Sequence, residues 1–336
     1  MNILIFGAGA IGSHLAYCLK DKKNKVILLS KKKYIKEFKL NGINLSIFSN
    51  DKLKKKILIK ESSSFKFESD LNKVNKIFKG KCNAIFVTVK LKDFKLNVVK
   101  KIIKLCNKNS ILVLPCTYLP PWWFNGIFDK NKIQDSYKEI KILKKYQKNM
   151  VGMTMWLSGR IIKPGYAEIK HVQRGYPIKE IHFSKKKMTT NLRNIIKKKC
   201  LSPNVRDIYG EIYVKSINSF AFNLIALDTE QNNFQLKKNT RAIKSIKKIF
   251  SEFDSIISSL DIPIFQSANS RINQTLSSTR HTLSMLNDFK NGKKVEIIYL
   301  WKTLLLLANL SKKKINFSKK IYKKVLTKLK KNGNLG

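Results

Sequence analysis

The feature that most constrains this 336-residue chain is the succession of an apolar run from Asn2 to Phe6, a glycine turn Gly7-Ala8-Gly9-Ala10-Ile11-Gly12, and a helical stretch from Ser13 to Lys20. Three glycines at this spacing, between a strand and a helix, suit one architecture. The first permits a tight turn and the second lets a pyrophosphate approach the backbone. The third lets the helix pack closely on the strand, and the unpaired N–H groups of the helix start then face the phosphates. With Lys25 to Leu29 as the next strand, the segment reads as a βαβ unit in which residues Gly7, Ala8, Gly9, Ala10, Ile11 and Gly12 cradle a dinucleotide.

The end of the second strand discriminates between cofactors. NAD binders place Asp or Glu about 20 residues beyond the glycines, where it holds the ribose hydroxyls. This chain reads Leu29-Ser30-Lys31-Lys32-Lys33 there. With no carboxylate and with Lys31 in place to meet a 2′-phosphate, the cofactor expected is NADP(H).

The α/β alternation continues through apolar runs at Ala84 to Val89 and Ile111 to Leu114, joined by an amphipathic helix around Phe94 to Leu105. Residues 40–68 read as a β insertion with a lysine-rich tip, and Val151 to Phe183 as further strands. From about Asp207 the texture changes to helical period with few Gly or Pro. The expected fold is α/β, with a Rossmann-type doubly wound sheet over residues 1–205 followed by an all-α domain over residues 206–336.

Sixty-nine Lys and Arg stand against 21 acids, for a formal charge of +48. Such a charge ordinarily points to a polyanion, yet only seven of the 69 are Arg, the residue that reads bases and phosphates with a bidentate fork. The lysines accompany many Asn and Ile over the whole length, a pattern of codon drift on solvated faces, so no specific nucleic-acid partner is expected. Cysteines 18, 82, 106, 116 and 200 are odd in number and show no C-x-x-C pair, which fits a reducing cytoplasm. Histidines 14, 171, 182 and 281 show no H-E-x-x-H spacing, so no metal site is expected. The apolar start lacks the basic region of a secretory signal. Ile297 to Leu310 is shorter than the ~20 residues of a membrane span and reads as a buried helix.

Lys215, Ser219 and Asn223 are spaced four apart, so on a helix they drift only ~80° and present a cation and two hydrogen-bonding groups along one face. The neighbouring Phe220, Phe222 and Leu224 make this helix otherwise buried, and a lysine placed there needs a partner or a task.

Taken in order, the glycine turn, Val87-Thr88-Val89-Lys90, the Ile161–His171 stretch with Pro164-Gly165, Asp207-Ile208 through Lys215 to Asn223, and Ser284-Met285-Leu286-Asn287-Asp288 with Gly292 and Glu296 resemble the ketopantoate reductase (2-dehydropantoate 2-reductase) family. The resemblance spans nearly the whole chain. It implies NADPH-dependent reduction of 2-dehydropantoate to (R)-pantoate, on the route to pantothenate and coenzyme A. Hydride transfer to a ketone builds negative charge on oxygen, which an ammonium in reach both stabilises and protonates; the resemblance gives this task to Lys215. It further implies that Glu296 orients substrate or lysine, that Ser284 and Asn223 hold the substrate, and that Lys90 contacts the cofactor. Ser284 also suits a helix N-cap.

Two positions depart from the family pattern. Cys116-Thr117 stands where an Asn-Gly pair contacts cofactor and substrate, so Cys116 takes a cofactor-binding position without an amide, and Ser219 replaces the first asparagine of the helix face. The substrate is therefore open to change. The alternatives are a reductase of another branched 2-oxo acid or ketone, or a catalytically silent nucleotide-binding protein, in either case a monomer or homodimer away from membranes.

Overall fold

The computed structural model describes residues 1–49, 52–90, 93–94, 96–115, 142, 146–277 and 282–335. They divide into two compact units, one running to Ile208 and the other starting at Tyr209.

The first unit is built on a seven-stranded sheet in the order β11-β8-β7-β6-β1-β2-β5. Its strands are β1 (Asn2–Phe6), β2 (Lys25–Leu29), β5 (Phe65–Glu68), β6 (Ala84–Val87), β7 (Ile111–Pro115), β8 (Met150–Met153) and β11 (Ile178–Glu180). All neighbours are parallel except β11 and β8. Continuous apolar runs such as Ile3-Leu4-Ile5 and Ile27-Leu28 are fully buried, as expected for a sheet covered on both faces. The chain order reverses beside β1, which puts the β1 and β6 carboxyl ends at the crevice of a doubly wound sheet.

The predicted insertion is split between two sheets. Only β5 joins the main one; β3 (Ile43–Ser49) and β4 (Lys52–Ile59) pair with β9 (Trp156–Lys163) and β10 (Tyr166–Gly175) in a second, four-stranded sheet ordered β4-β3-β10-β9. Helix α1 (Ala10–Leu19) contacts β1 and β2 of the main sheet, β3, β9 and β10 of the second, and a later helix, α5 (Lys186–Lys197). It is therefore buried over eight of its ten residues, which accounts for a sequence free of charged side chains. A Cβ at Gly159 of β9 would lie 2.9 Å from the Ala10 Cβ, so the second sheet rests directly on the start of α1. Among the described residues of this unit the other α-helices are α2 (Lys32–Asn41), α3 (Leu71–Phe78) and α4 (Leu96–Ile103).

The described part of the second unit is helical: α6 (Ile208–Thr229), α7 (Asn233–Lys238), α8 (Thr240–Ser258), α9 (Ala268–Leu276), α10 (Ser284–Lys290), α11 (Ile297–Leu310) and α12 (Asn316–Lys331). An aromatic chain locks four of them: Phe220 of α6 lies edge-on to Phe253 of α8 and stacks on Trp301 of α11, which stacks in turn on Tyr322 of α12 at 4.3 Å. Trp301 is thus a core residue of the helical unit, stacked between Phe220 and Tyr322. A buried Arg271 on α9 pairs with Asp254 on α8, to which Tyr213 of α6 also donates, and its guanidinium covers the Phe250 ring. Among the described residues no helix is long and apolar enough to cross a membrane.

Candidate functional site

In the first unit, the glycine turn forms as its residue types require. Gly7 adopts φ +124° and Gly12 has no room for a side chain, since a Cβ there would lie 1.8 Å from the Gly7 carbonyl oxygen. Thr88, at the end of β6, latches the turn by donating its hydroxyl to the Gly7 carbonyl at 2.7 Å. Gly9 differs: a Cβ there would meet nothing within 4 Å. Gly12 is thus demanded by the fold itself, whereas the bare backbone at Gly9, the residue before α1, faces open space that an incoming pyrophosphate fits.

That space is an open groove of about 1350 Å³. Gly7, Ala8 and Gly9 form its floor beside Thr88 and Lys90, and Ser30, Lys31 and Tyr34 line it past the end of β2. Ala10, Ile11 and Gly12 lie behind, as the first turn of α1, and contribute the unpaired N–H groups of a helix start. Lysines 31, 32, 73, 90, 101 and 104 line the groove against Asp70 and Asp93, and the Asp70 carboxylate is occupied capping α3. A basic groove at the carboxyl ends of parallel strands, with a glycine turn as floor, fits a polyphosphate dinucleotide. Cys116 lies outside the described residues.

In the second unit, Lys215 is half-buried on α6, and burial lowers its ammonium from the ordinary 10.5 to about 8. Ser219 and Asn223 follow on the same face. Asn223 is 3% exposed and its amide is committed twice: Nδ2 donates to the Ser219 carbonyl at 2.7 Å, and Oδ1 accepts from the Met285 N–H at 3.1 Å. It therefore ties α6 to the start of α10, beside Ser284. Ser284 itself is exposed and occupies the first helical position; the residue before the helix is Leu283, and no side chain caps it. The N-cap reading of Ser284 is thus corrected, because the helix begins one residue earlier than the Ser-to-Asp288 spacing suggests. Glu296 precedes α11, with one carboxylate oxygen shielded from solvent.

Two groups escaped the sequence reading. Thr88 was seen only as part of a motif; its place one residue past an apolar strand facing the glycine turn is the signal for it. Asn218 is 4% exposed, and neither its Oδ1 nor its Nδ2 has a hydrogen-bond partner among the described residues. It stands three residues after Lys215, about 60° away around the helix, so a polar residue flanking the lysine stripe was the available sign. The structure also unites His14, Cys18 and Cys200, all buried, where sequence separation predicted no metal-binding set.

Two family models cover most of the chain: ketopantoate reductase PanE/ApbA over residues 3–175, and the C-terminal domain of the same family over residues 207–328. No protein of curated function matches by sequence. Among solved structures, the chain is similar to a PanE/ApbA family ketopantoate reductase from Ralstonia eutropha JMP134, with 15% identity and a TM-score of 0.75 over 99% of this chain and 100% of that one. It is similar also to a D-mandelate dehydrogenase in ternary complex with NADH and anilino(oxo)acetate (17%, 0.75, 99% and 100%). A third is a dimeric ketopantoate reductase from Staphylococcus aureus (12%, 0.66, 99% and 100%). At such identities these likenesses show a common fold, whereas the paired family models, the glycine turn and the dinucleotide groove go further: the chain belongs to the ketopantoate reductase PanE/ApbA family and is an NAD(P)H-dependent oxidoreductase.

Proposed function

We propose that this protein reduces 2-dehydropantoate to (R)-pantoate with NADPH, a step on the route to pantothenate and coenzyme A. The dinucleotide, when bound, supplies a hydride to the carbonyl carbon. The chain supplies the rest. Gly7, Ala8 and Gly9 with the first turn of α1 receive the pyrophosphate, and Lys31 pairs with the 2′-phosphate of NADPH where NAD binders carry a carboxylate. Lys90 meets the same cofactor.

As the carbonyl oxygen gains negative charge, the Lys215 ammonium stabilises it and then gives up a proton from Nζ. An ammonium brought to about 8 remains mostly protonated at neutral pH yet releases its proton more readily than an exposed lysine does. Glu296 offsets the ammonium charge, and Ser284 and Ser219 hold the substrate carboxylate and hydroxyl. Asn223, with its amide committed to Ser219 and Met285, acts as the positioning residue for Ser284. The observation that carries this reading is the burial of Lys215 on α6 at the family's lysine position.

A second reading keeps the chemistry and changes the substrate to another 2-oxo acid. Two features favour it: Ser219 leaves more room and one fewer donor than asparagine, and the D-mandelate dehydrogenase shares the fold. Steady-state oxidation of NADPH, run beside NADH, with 2-dehydropantoate and a panel of branched and phenyl-bearing 2-oxo acids separates the two. Turnover of a different acid with none of 2-dehydropantoate overturns the first reading, and absence of any turnover overturns both.

A further inference from the structure

The described part of the first unit holds a cluster of chemistry-bearing side chains that the oxidoreductase reading leaves idle. His14 and Cys18 stand one turn apart on α1, on the side that packs toward α5, and Cys200 follows the end of α5. All three are buried, and their ligating atoms lie within 4.8 Å of one another. Cys18 Sγ is 4.0 Å from each ring nitrogen of His14. The Tyr176 hydroxyl sits 2.8 Å from His14 Nδ1, an outer-shell contact of the kind that fixes the imidazole tautomer and leaves Nε2 to a metal.

We propose that His14 Nε2, Cys18 Sγ and Cys200 Sγ bind one zinc-type divalent cation, with a solvent molecule completing its tetrahedron, and so clasp α1 to the end of α5. The geometry is close to what such an ion needs. Bond lengths of about 2.3 Å to sulfur and about 2.0–2.1 Å to nitrogen set tetrahedral edges of roughly 3.5–3.8 Å. The present separations, none above 4.8 Å, contract to that by side-chain movements of about 1 Å. The donor set selects the ion: thiolate and imidazole are soft to borderline ligands that calcium and magnesium do not favour.

Charge selects the valence. Two thiolates neutralise a dication, so the buried site carries no net charge, whereas a monovalent ion leaves an uncompensated anion in the core. The sequence hid this set because two ligands come from the first helix and the third from the far end of the same unit.

The test uses the whole protein, purified with its thiols reduced and titrated with Co²⁺ or Zn²⁺ alone. The expected result is uptake of about one equivalent per chain. Cobalt should give the intense near-ultraviolet bands of thiolate ligation, and X-ray absorption of the zinc form should show two sulfurs at about 2.3 Å. Cys18→Ser and Cys200→Ser should each lower the charge-transfer intensity by about half, while Cys82→Ser leaves it unchanged. The proposal is overturned by wild-type protein that takes up no metal, or by an absorption shell of nitrogen and oxygen only. A Cys18–Cys200 disulfide whose reduction brings no metal uptake overturns it equally. The absorption measurement on unaltered protein decides the matter even where a cysteine variant fails to fold.

Discussion

Replacing Lys215 with methionine should make the protein more stable and inactive at once. Burial lowers the ammonium from 10.5 to about 8, roughly 2.5 pH units, and each unit corresponds to about 1.4 kcal/mol. Holding the charged form in the folded chain therefore costs on the order of 3 kcal/mol. Because the residue keeps part of its surface in solvent, relaxation reduces this to about 1–3 kcal/mol. The folded value lies below the unfolded one, so between about pH 8 and 10 the unfolded chain binds the additional proton. The penalty is thus fully present below about pH 8 and fades as the pH approaches 10. Lys215→Met, similar in length and uncharged, should raise the urea midpoint at pH 7 by the equivalent of about 1–3 kcal/mol and bring little gain at pH 10. Its reductase rate should fall by about 10²–10⁴-fold. In the unaltered enzyme, kcat/KM for reduction should decline as the pH rises through about 8, because the proton donor is lost. Circular dichroism in urea at the two pH values, with parallel rate measurements, checks all of this. A variant that is less stable by the same amount at both pH values, or that retains activity within tenfold, refutes the argument.

Other outcomes follow from the same geometry. Gly9→Ala should leave the melting temperature unchanged, since its Cβ meets open space, yet weaken NADPH binding at least about tenfold by fluorescence titration; Gly12→Ala, blocked by the Gly7 carbonyl, should lose stability as well. Lys31→Ala should reduce the NADPH-over-NADH preference about tenfold in kcat/KM with little change in the NADH value. Asn223→Ala strands the buried Met285 N–H and should cost about 1–3 kcal/mol of stability while raising the KM for the keto acid. Asn218→Leu removes an unpaired buried amide and should stabilise by about 1–2 kcal/mol; an accompanying rise in KM would assign the amide to substrate, and an unchanged KM would make it a passive core residue.

The nucleotide half of the fold was legible because its constraints are local. A glycine turn and the strands beside it are dictated within a few residues, and Gly7 and Gly12 are needed for reasons visible in their immediate neighbours. The second sheet was not legible. Its central pair joins β3 to β10 in parallel across more than a hundred residues, and no local period announces such a pairing. The helix face of Lys215, Ser219 and Asn223 followed from spacing alone, yet the commitment of Asn223 to Met285 did not, because that bond depends on where α10 happens to start. His14, Cys18 and Cys200 were invisible for the same reason: side chains brought together only by the docking of α1 on α5 leave no pattern in the order of residues.

The enclosure of α1 between two sheets explains one more thing about this lysine-laden chain. Over its ten positions α1 carries no charged residue, although charged types make up 27% of the protein. Mutational pressure toward lysine is free to write on surfaces that water reaches and is erased where an ammonium would have to enter a dry core. The charge-free sequence of α1 is in effect a record of that enclosure, written directly behind the phosphate-binding turn.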